Sequence, residues 1–444
     1  MGGTTAGKGG VTSGGSGGAL SVGGTAGSNA AAGAGGMVSS TGGVAGAGTA
    51  CTALAAPTGA TVTARPADGP TLDAVVSGAS GGTTILLEDG TYLIPRLNFT
   101  TSNVTLRSVS NNAAAVILDG QYLADEAISI TASNVTIAHV SIEHAYNHPI
   151  HVSPPSTGGD ITGVLIYGVH IEDGGQQFIK INSNGGGFVD NGRVECSTFL
   201  MTTAGRAKVD TCCGGCYTGG IDGHAARGWI VRQNRFEGIY CDGSGLAEHA
   251  IHFWRSSRDT LVENNTIINC ARGIGFGLGD TIAERTYPDS PYGGANLQHY
   301  DGIIRNNVIF SNIDFFDTGI ELHHAREPRL YHNTVISDGG AAFFSSIDWR
   351  FTDTQAILAN NLATRLTERD GAMATLTTNL PAAPGAGVGA PLSYFVNPAA
   401  GDLHLSASAS GAVDQGTPVT EAGVDMDGET HDIGAPDLGA DERK

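Results

Sequence analysis

Thr260-Leu261-Val262-Glu263-Asn264-Asn265-Thr266-Ile267 decides how this chain folds. Apolar and polar residues alternate with a period of two, and the run is too short for an amphipathic helix. An Asn pair then interrupts the alternation where a corner belongs, because Asn tolerates left-handed backbone. The same phrase recurs in both directions along the chain. Upstream it reads Val135-Thr136-Ile137, Val164-Leu165-Ile166 and Trp229-Ile230-Val231 with Asn234; downstream, Ile303-Ile304 with Asn307 and Leu330-Tyr331-His332-Asn333.

Taking Leu106, Ile137, Ile166, Val194, Val231, Val262, Ile304, Leu330 and Leu358 as equivalent, the steps are 31, 29, 28, 37, 31, 42, 26 and 28 residues. A floor near one length with occasional longer steps describes fixed coils carrying inserted loops. One such coil cannot bury its inner face alone. Stacked coils share a continuous apolar column, with backbone hydrogen bonds running between them. Asn234, Asn265, Asn307, Asn333 and Asn361 hold one position in the repeat, where each amide can bond its equivalent in the next coil. A sandwich of independent strands would not keep Asn in register.

These repeats resemble the right-handed parallel β-helix proteins of the pectin-lyase-like superfamily, over about residues 70–365. An amphipathic cap followed by Leu87-Glu88-Asp89-Gly90-Thr91-Tyr92 is similar to their usual N-terminal entry, and Thr84–Tyr92 reads as a strand and a turn. Before it, Pro70–Ala79 predicts a short capping helix, with Thr71 as N-cap and Gly78 as its end. The tail is similar to that of secreted bacterial members: Phe395-Val396-Asn397-Pro398, Asp402-Leu403-His404-Leu405, Asp425-Met426-Asp427-Gly428 and Asp432-Ile433-Gly434-Ala435. It departs from the usual pattern where Pro436–Gly439 intervene before Ala440-Asp441-Glu442. The resemblance implies a fold and not a reaction, since the superfamily holds lyases, glycosidases, esterases, epimerases and tailspikes.

The expected organisation is a low-complexity tether over 1–56, an all-β right-handed parallel β-helix over 57–365, and an irregular tail over 366–444 packing on the helix end. In the tether Lys8 is the sole charge among the first 50 residues, and the Gly/Ala/Ser-rich composition offers too little apolar surface to offset ordering.

Composition narrows the partners. Asp and Glu outnumber Lys and Arg by 43 to 23, for a formal charge of −20. With no basic stripe, such a chain is repelled by phosphate backbones, so nucleic acid is not an expected partner. No apolar run is long enough for a transmembrane segment. Six of seven cysteines fall between Cys196 and Cys270, which predicts disulfides with Cys51 left over. The Cys212-Cys213-Gly214-Gly215-Cys216 run lacks a second ligand pair for zinc. The expected location is extracellular or the cell surface, as a monomer, although no signal peptide is visible after Met1.

Chemistry is sought on the strand that precedes each repeat, at Ile128, Ile150, Ile179, Ile221, Ile251, Ile274 and Ile320. With the Ile and the residue two beyond pointing inward, the outward pairs are Ser129/Thr131, His151/Ser153, Lys180/Asn182, Asp222/His224, His252/Trp254, Gly275/Gly277 and Glu321/His323. Stacking would bring them into one stripe. The expected catalytic residues are His224, His252, Asp222, Lys180 and Arg255. Trp254, Gly275, Gly277, Glu321 and His323 are the expected substrate contacts, the two glycines as bare backbone beneath a sugar. Arg227 and Arg258 could meet substrate carboxylates.

Asp222 and Glu321 lie about 14 Å apart at the strand spacing, beyond the roughly 5–9.5 Å of a glycosidase pair. A lyase-type elimination on an acidic glycan is therefore preferred to hydrolysis, with His, Lys or Arg as base and Ca²⁺ the one cofactor considered. The alternative is a non-catalytic glycan-binding or structural, adhesive surface protein. His139, His144, His299 and His332 read as surface or corner residues, Asp425–Gly428 as a plain turn, and the stripe residues, taken singly, as a solvated polar face.

Overall fold

A computed structural model describes residues 51–209, 215–243, 245–279, 283–293 and 297–444. The tether up to residue 50, and Cys212 and Cys213, lie outside these residues.

The chain winds through three parallel sheets in turn. One coil runs from Leu261–Glu263 in the first sheet to Thr266–Ile268 in the second and Arg272–Phe276 in the third. The next coil repeats the circuit through Ile303–Arg305, Val308–Ser311 and Thr318–His323, in register. This is a right-handed parallel β-helix. The equivalences expected from Leu106 to Leu358 hold at every step, from Leu106↔Ile137 to Leu330↔Leu358. All of these residues are fully buried and, with the third-sheet isoleucines, form the interior column. Each such side chain contributes roughly 2 kcal/mol by burial.

The Asn ladder is present and longer than expected. Asn234, Asn265, Asn307, Asn333 and Asn361 each donate a side-chain N–H to the side-chain oxygen of the next asparagine at 2.8–3.0 Å, and the ladder ends at Asn379. The ladder asparagines are not themselves the left-handed residues. The corner φ belongs to the residue before each: Gln233 (56°), Asn264 (54°), Asn306 (54°), His332 (50°) and Asn360 (57°). The division is physical. One residue bends the backbone, and the next turns its amide inward to satisfy the peptide groups that the bend frees.

The capping helix spans Leu72–Ser77 and buries Leu72 and Val76, one turn apart. Thr71 stands at the N-cap, but its hydroxyl donates to the Asp68 carbonyl instead of capping. Asp73 ties the helix to the third sheet by accepting from the backbone and side chain of Asn98.

The coils run on past residue 365 through Leu366–Arg369 and Met373–Thr377. Beyond them, Phe395–Asn397 pairs antiparallel with Asp402–Leu405. Phe395, Leu403, Leu405 and Leu438 pack on Ile268, Phe310, Ile336 and Leu362, the outward residues of the second sheet. The tail thus lies along a flank, where it covers apolar side chains that the repeat leaves outside.

Cysteine pairing differs from expectation. Cys51 is bonded to Cys196, and Cys216 to Cys241, while Cys270 is free and buried. Cys51 reaches its partner because residues 52–55 run back along the first sheet, held by Arg107 and Tyr167 on the carbonyls of Leu54, Ala55 and Thr52. His299 is also no surface residue: it is fully buried, with its ring stacked on Phe276 at 3.8 Å. Among the described residues, no helix is long and apolar enough to cross a membrane.

Candidate active site

The third sheet gathers the stripe. Ser129, His151, Lys180, Asp222, His252, Gly275, Glu321 and Asp348 are successive partners along one row. His224 and Trp254 are partners in the second row, as are His323 and Arg350. The alternation that sends each Ile inward sends these side chains out. Asp348 lies one coil beyond the expected series, which ends at Ile320. Ile347-Asp348-Trp349-Arg350 continues it with the same pattern.

At the centre, Asp222 is the hub. Its carboxylate accepts from the Lys180 ammonium on one oxygen, and from the Trp254 indole N–H on the other at 2.8 Å. Lys180 also donates to His224 Nε2 at 3.1 Å. An ammonium can only donate, so His224 Nε2 accepts and its proton sits on Nδ1, which faces Glu284 at 3.8 Å. Burial alone would raise the Asp222 carboxyl. Lys180, followed by His224 and His252, outweighs it and holds the group well below the usual carboxylate range.

A second cluster lies further along the stripe. His249 Nε2 meets Glu321 at 3.2 Å, and His252 Nε2 donates to the Gly277 carbonyl at 3.1 Å. Burial, reinforced by neighbouring His249, pushes the His252 pKa well down against the pull of Asp222. Glu321 would be raised by burial, but His249, His323 and Arg272 bring it far below its ordinary value. His323 bridges Glu321 and Asp348, and Arg369 clamps both Asp348 oxygens.

The stripe faces outward yet is largely covered. Lys180 is 5 % exposed, Asp222 4 % and His252 1 %; His224, Trp254 and Arg255 are the partly open members. The glycines are not bare backbone. A Cβ on Gly275 would sit 2.7 Å from His249 Nε2, and one on Gly277 1.8 Å from the His323 carbonyl. Their missing side chains make room for the chain's own groups. The arginines likewise meet carboxylates of this chain: Arg255 binds Glu284 at 2.6 Å, while Arg227 and Arg258 share Asp259 and Asp289. Trp254 stacks on His252 and carries the Arg255 guanidinium 4.5 Å from its ring centre.

Asp222 is a poor Ca²⁺ ligand. That ion takes six or more oxygens, whereas both Asp222 oxygens are held by donors and one of these is a cation.

The chain is thus a parallel β-helix protein with a buried acid, base and imidazole network on its third sheet. No family model and no curated protein matches it. Among solved structures it is similar to the pectate lyase Pel9A, at 15% identity, over 84% of this chain and 90% of that one, with a TM-score of 0.47. It is also similar to an alginate lyase from Paenibacillus sp. str. FPU-7 (15% identity, 71% and 97%, TM-score 0.44). A third is PfbA, a surface adhesin of Streptococcus pneumoniae (12% identity, 70% and 87%, TM-score 0.38).

Proposed function

We propose that this protein acts on polysaccharide outside the cytoplasm as a secreted or surface-attached monomer, by lyase-type elimination on an acidic glycan. Residues 1–56 serve as its tether, of which 51–55 are fastened to the first sheet. The observation that carries the reading is the meeting of Lys180, Asp222 and His224 beside Trp254. Elimination from a uronate needs a cation near the sugar carboxylate and a base for the α-proton. Here Asp222 keeps the Lys180 ammonium in place, Arg255 adds a second cation, and partly exposed His224 is the imidazole that takes the α-proton once Lys180 turns from its Nε2 to the sugar carboxylate. The Cys51–Cys196 and Cys216–Cys241 disulfides suit an oxidising compartment.

Hydrolysis is the less favoured reaction. Asp222 and Glu321 are three coil steps apart, and neighbouring Glu321 and Asp348 are buried and clamped by His323 and Arg369. The test is incubation with a panel of uronate polymers while following ultraviolet absorbance of the unsaturated product. Turnover that is lost in His224→Ala and Lys180→Met supports the reading. Turnover retained in both variants removes these residues from the chemistry.

One observation favours the second reading, a non-catalytic glycan-binding or structural rod: the stripe's charges pair with one another beneath its surface. Binding on a glycan array without turnover of any bound sugar would decide for it.

A further inference from the structure

A different part of the stripe presents acceptors to one another with no donor between them. His249 is 1 % exposed and its Nε2 faces the Glu321 carboxylate, which leaves Nδ1 as a buried nitrogen with no partner among the described residues. His252 gives its Nε2–H to the Gly277 carbonyl, so its Nδ1 also carries a lone pair. That Nδ1 lies 4.0 Å from Glu248 Oε2, which is buried and unpartnered too, and 3.6 Å from Asp222 Oδ1. Glu248, His249 and His252 each offer one ligand atom, all within 4.8 Å of one another. Buried acceptors left in this way each cost about 1–3 kcal/mol unless something positive sits between them.

We propose that Glu248, His249 and His252 bind a divalent transition-metal ion of the Zn²⁺ type. Two imidazoles and a carboxylate are the ligands such ions prefer over Ca²⁺ or Mg²⁺. Three protein ligands leave one position open, beside Asp222. The outer contacts match those that metal-bound histidines make: one ring N–H on a carboxylate, Glu321, and the other on a backbone carbonyl, that of Gly277. Gly275 belongs to the same construction, since any Cβ there would strike the His249 ring. Tetrahedral ligands at ordinary bond lengths stand about 3.4 Å apart, so ligand atoms that are within 4.8 Å of one another draw together by up to about 1.4 Å on binding. Glu248, partly exposed, is where the ion enters. The reading is independent of sugar chemistry.

The full chain, stripped with a chelator, is titrated with ZnCl₂ by calorimetry, and loaded with Co²⁺ for its visible spectrum; no polysaccharide is present. The expected result is one ion per chain, a Co²⁺ spectrum of tetrahedral nitrogen and oxygen ligation, and affinity at least tenfold weaker in Glu248→Gln and Glu321→Gln. Zn²⁺ should also raise the melting temperature of the wild-type chain more than that of Glu248→Gln. A wild-type chain that takes up no ion overturns the proposal. So does uptake that survives Glu248→Gln and His249→Gln but disappears in Asp427→Asn, which would place the ion at His404, Asp427 and Asp441 in the tail.

Discussion

Asn265 and Asn307 lie one coil apart and are joined twice. The side-chain amide of Asn265 donates to Asn307 Oδ1 at 2.9 Å, and its backbone N–H donates to the same oxygen at 3.0 Å. Asn265 also donates to the carbonyls of Val231 and Glu263, and accepts from Asn234. Asn265→Ala would leave several buried groups without partners, at a cost of about 3 kcal/mol. Urea denaturation should show that loss as a lower midpoint. An unchanged midpoint would mean the ladder is ornamental.

Lys180 and Asp222 form the most buried ion pair of the central cluster. Lys180→Met strands a carboxylate in a covered site, which costs about 3–5 kcal/mol. Adding Asp222→Asn should restore part of that stability, because the uncompensated charge is gone. A double-mutant cycle with no coupling would contradict the geometry.

Register and the outward row were legible because a period of two carries them. Once Val231 and Val262 are equated, Asp222 and His252 become neighbours across 30 residues. Covering was not legible. Whether an outward side chain meets water depends on its row neighbours and on groups such as Glu284, which pattern does not reveal. The same holds for Gly275 and Gly277, which leave room for groups of this chain where the sequence suggests bare backbone. Glu248-His249-Ala250-Ile251-His252 is not a helical zinc-protease motif, because its two His are three apart and it sits in a strand. In the strand His249–Trp254 a three-residue spacing still brings the two rings to 4.4 Å.

Gly277→Ala should be the more damaging of the two glycine substitutions. Its φ is +82°, and the added carbon would collide with backbone, whereas at Gly275 it would meet a movable ring. A loss of roughly 2 kcal/mol or more is expected for Gly277→Ala. Thermal unfolding of both variants checks the order, and equal melting temperatures would contradict it.

Buried His299 has its pKa pushed down from 6.5 to about 3 by desolvation. The unfolded chain therefore binds this proton below about pH 6.5, while the folded chain does not until about pH 3. Its contribution to stability falls as pH drops through that window. His299→Gln should flatten the slope of unfolding free energy against pH by about one proton between pH 6 and 4. An identical slope in both proteins would show that His299 is not held neutral.

The most direct measurement is the mass of the fragments released from a defined oligouronate. Elimination adds no water, so the account predicts two fragments whose masses sum to that of the substrate, one carrying a carbon–carbon double bond. Fragments heavier by one water, or an oligosaccharide left whole, would contradict it.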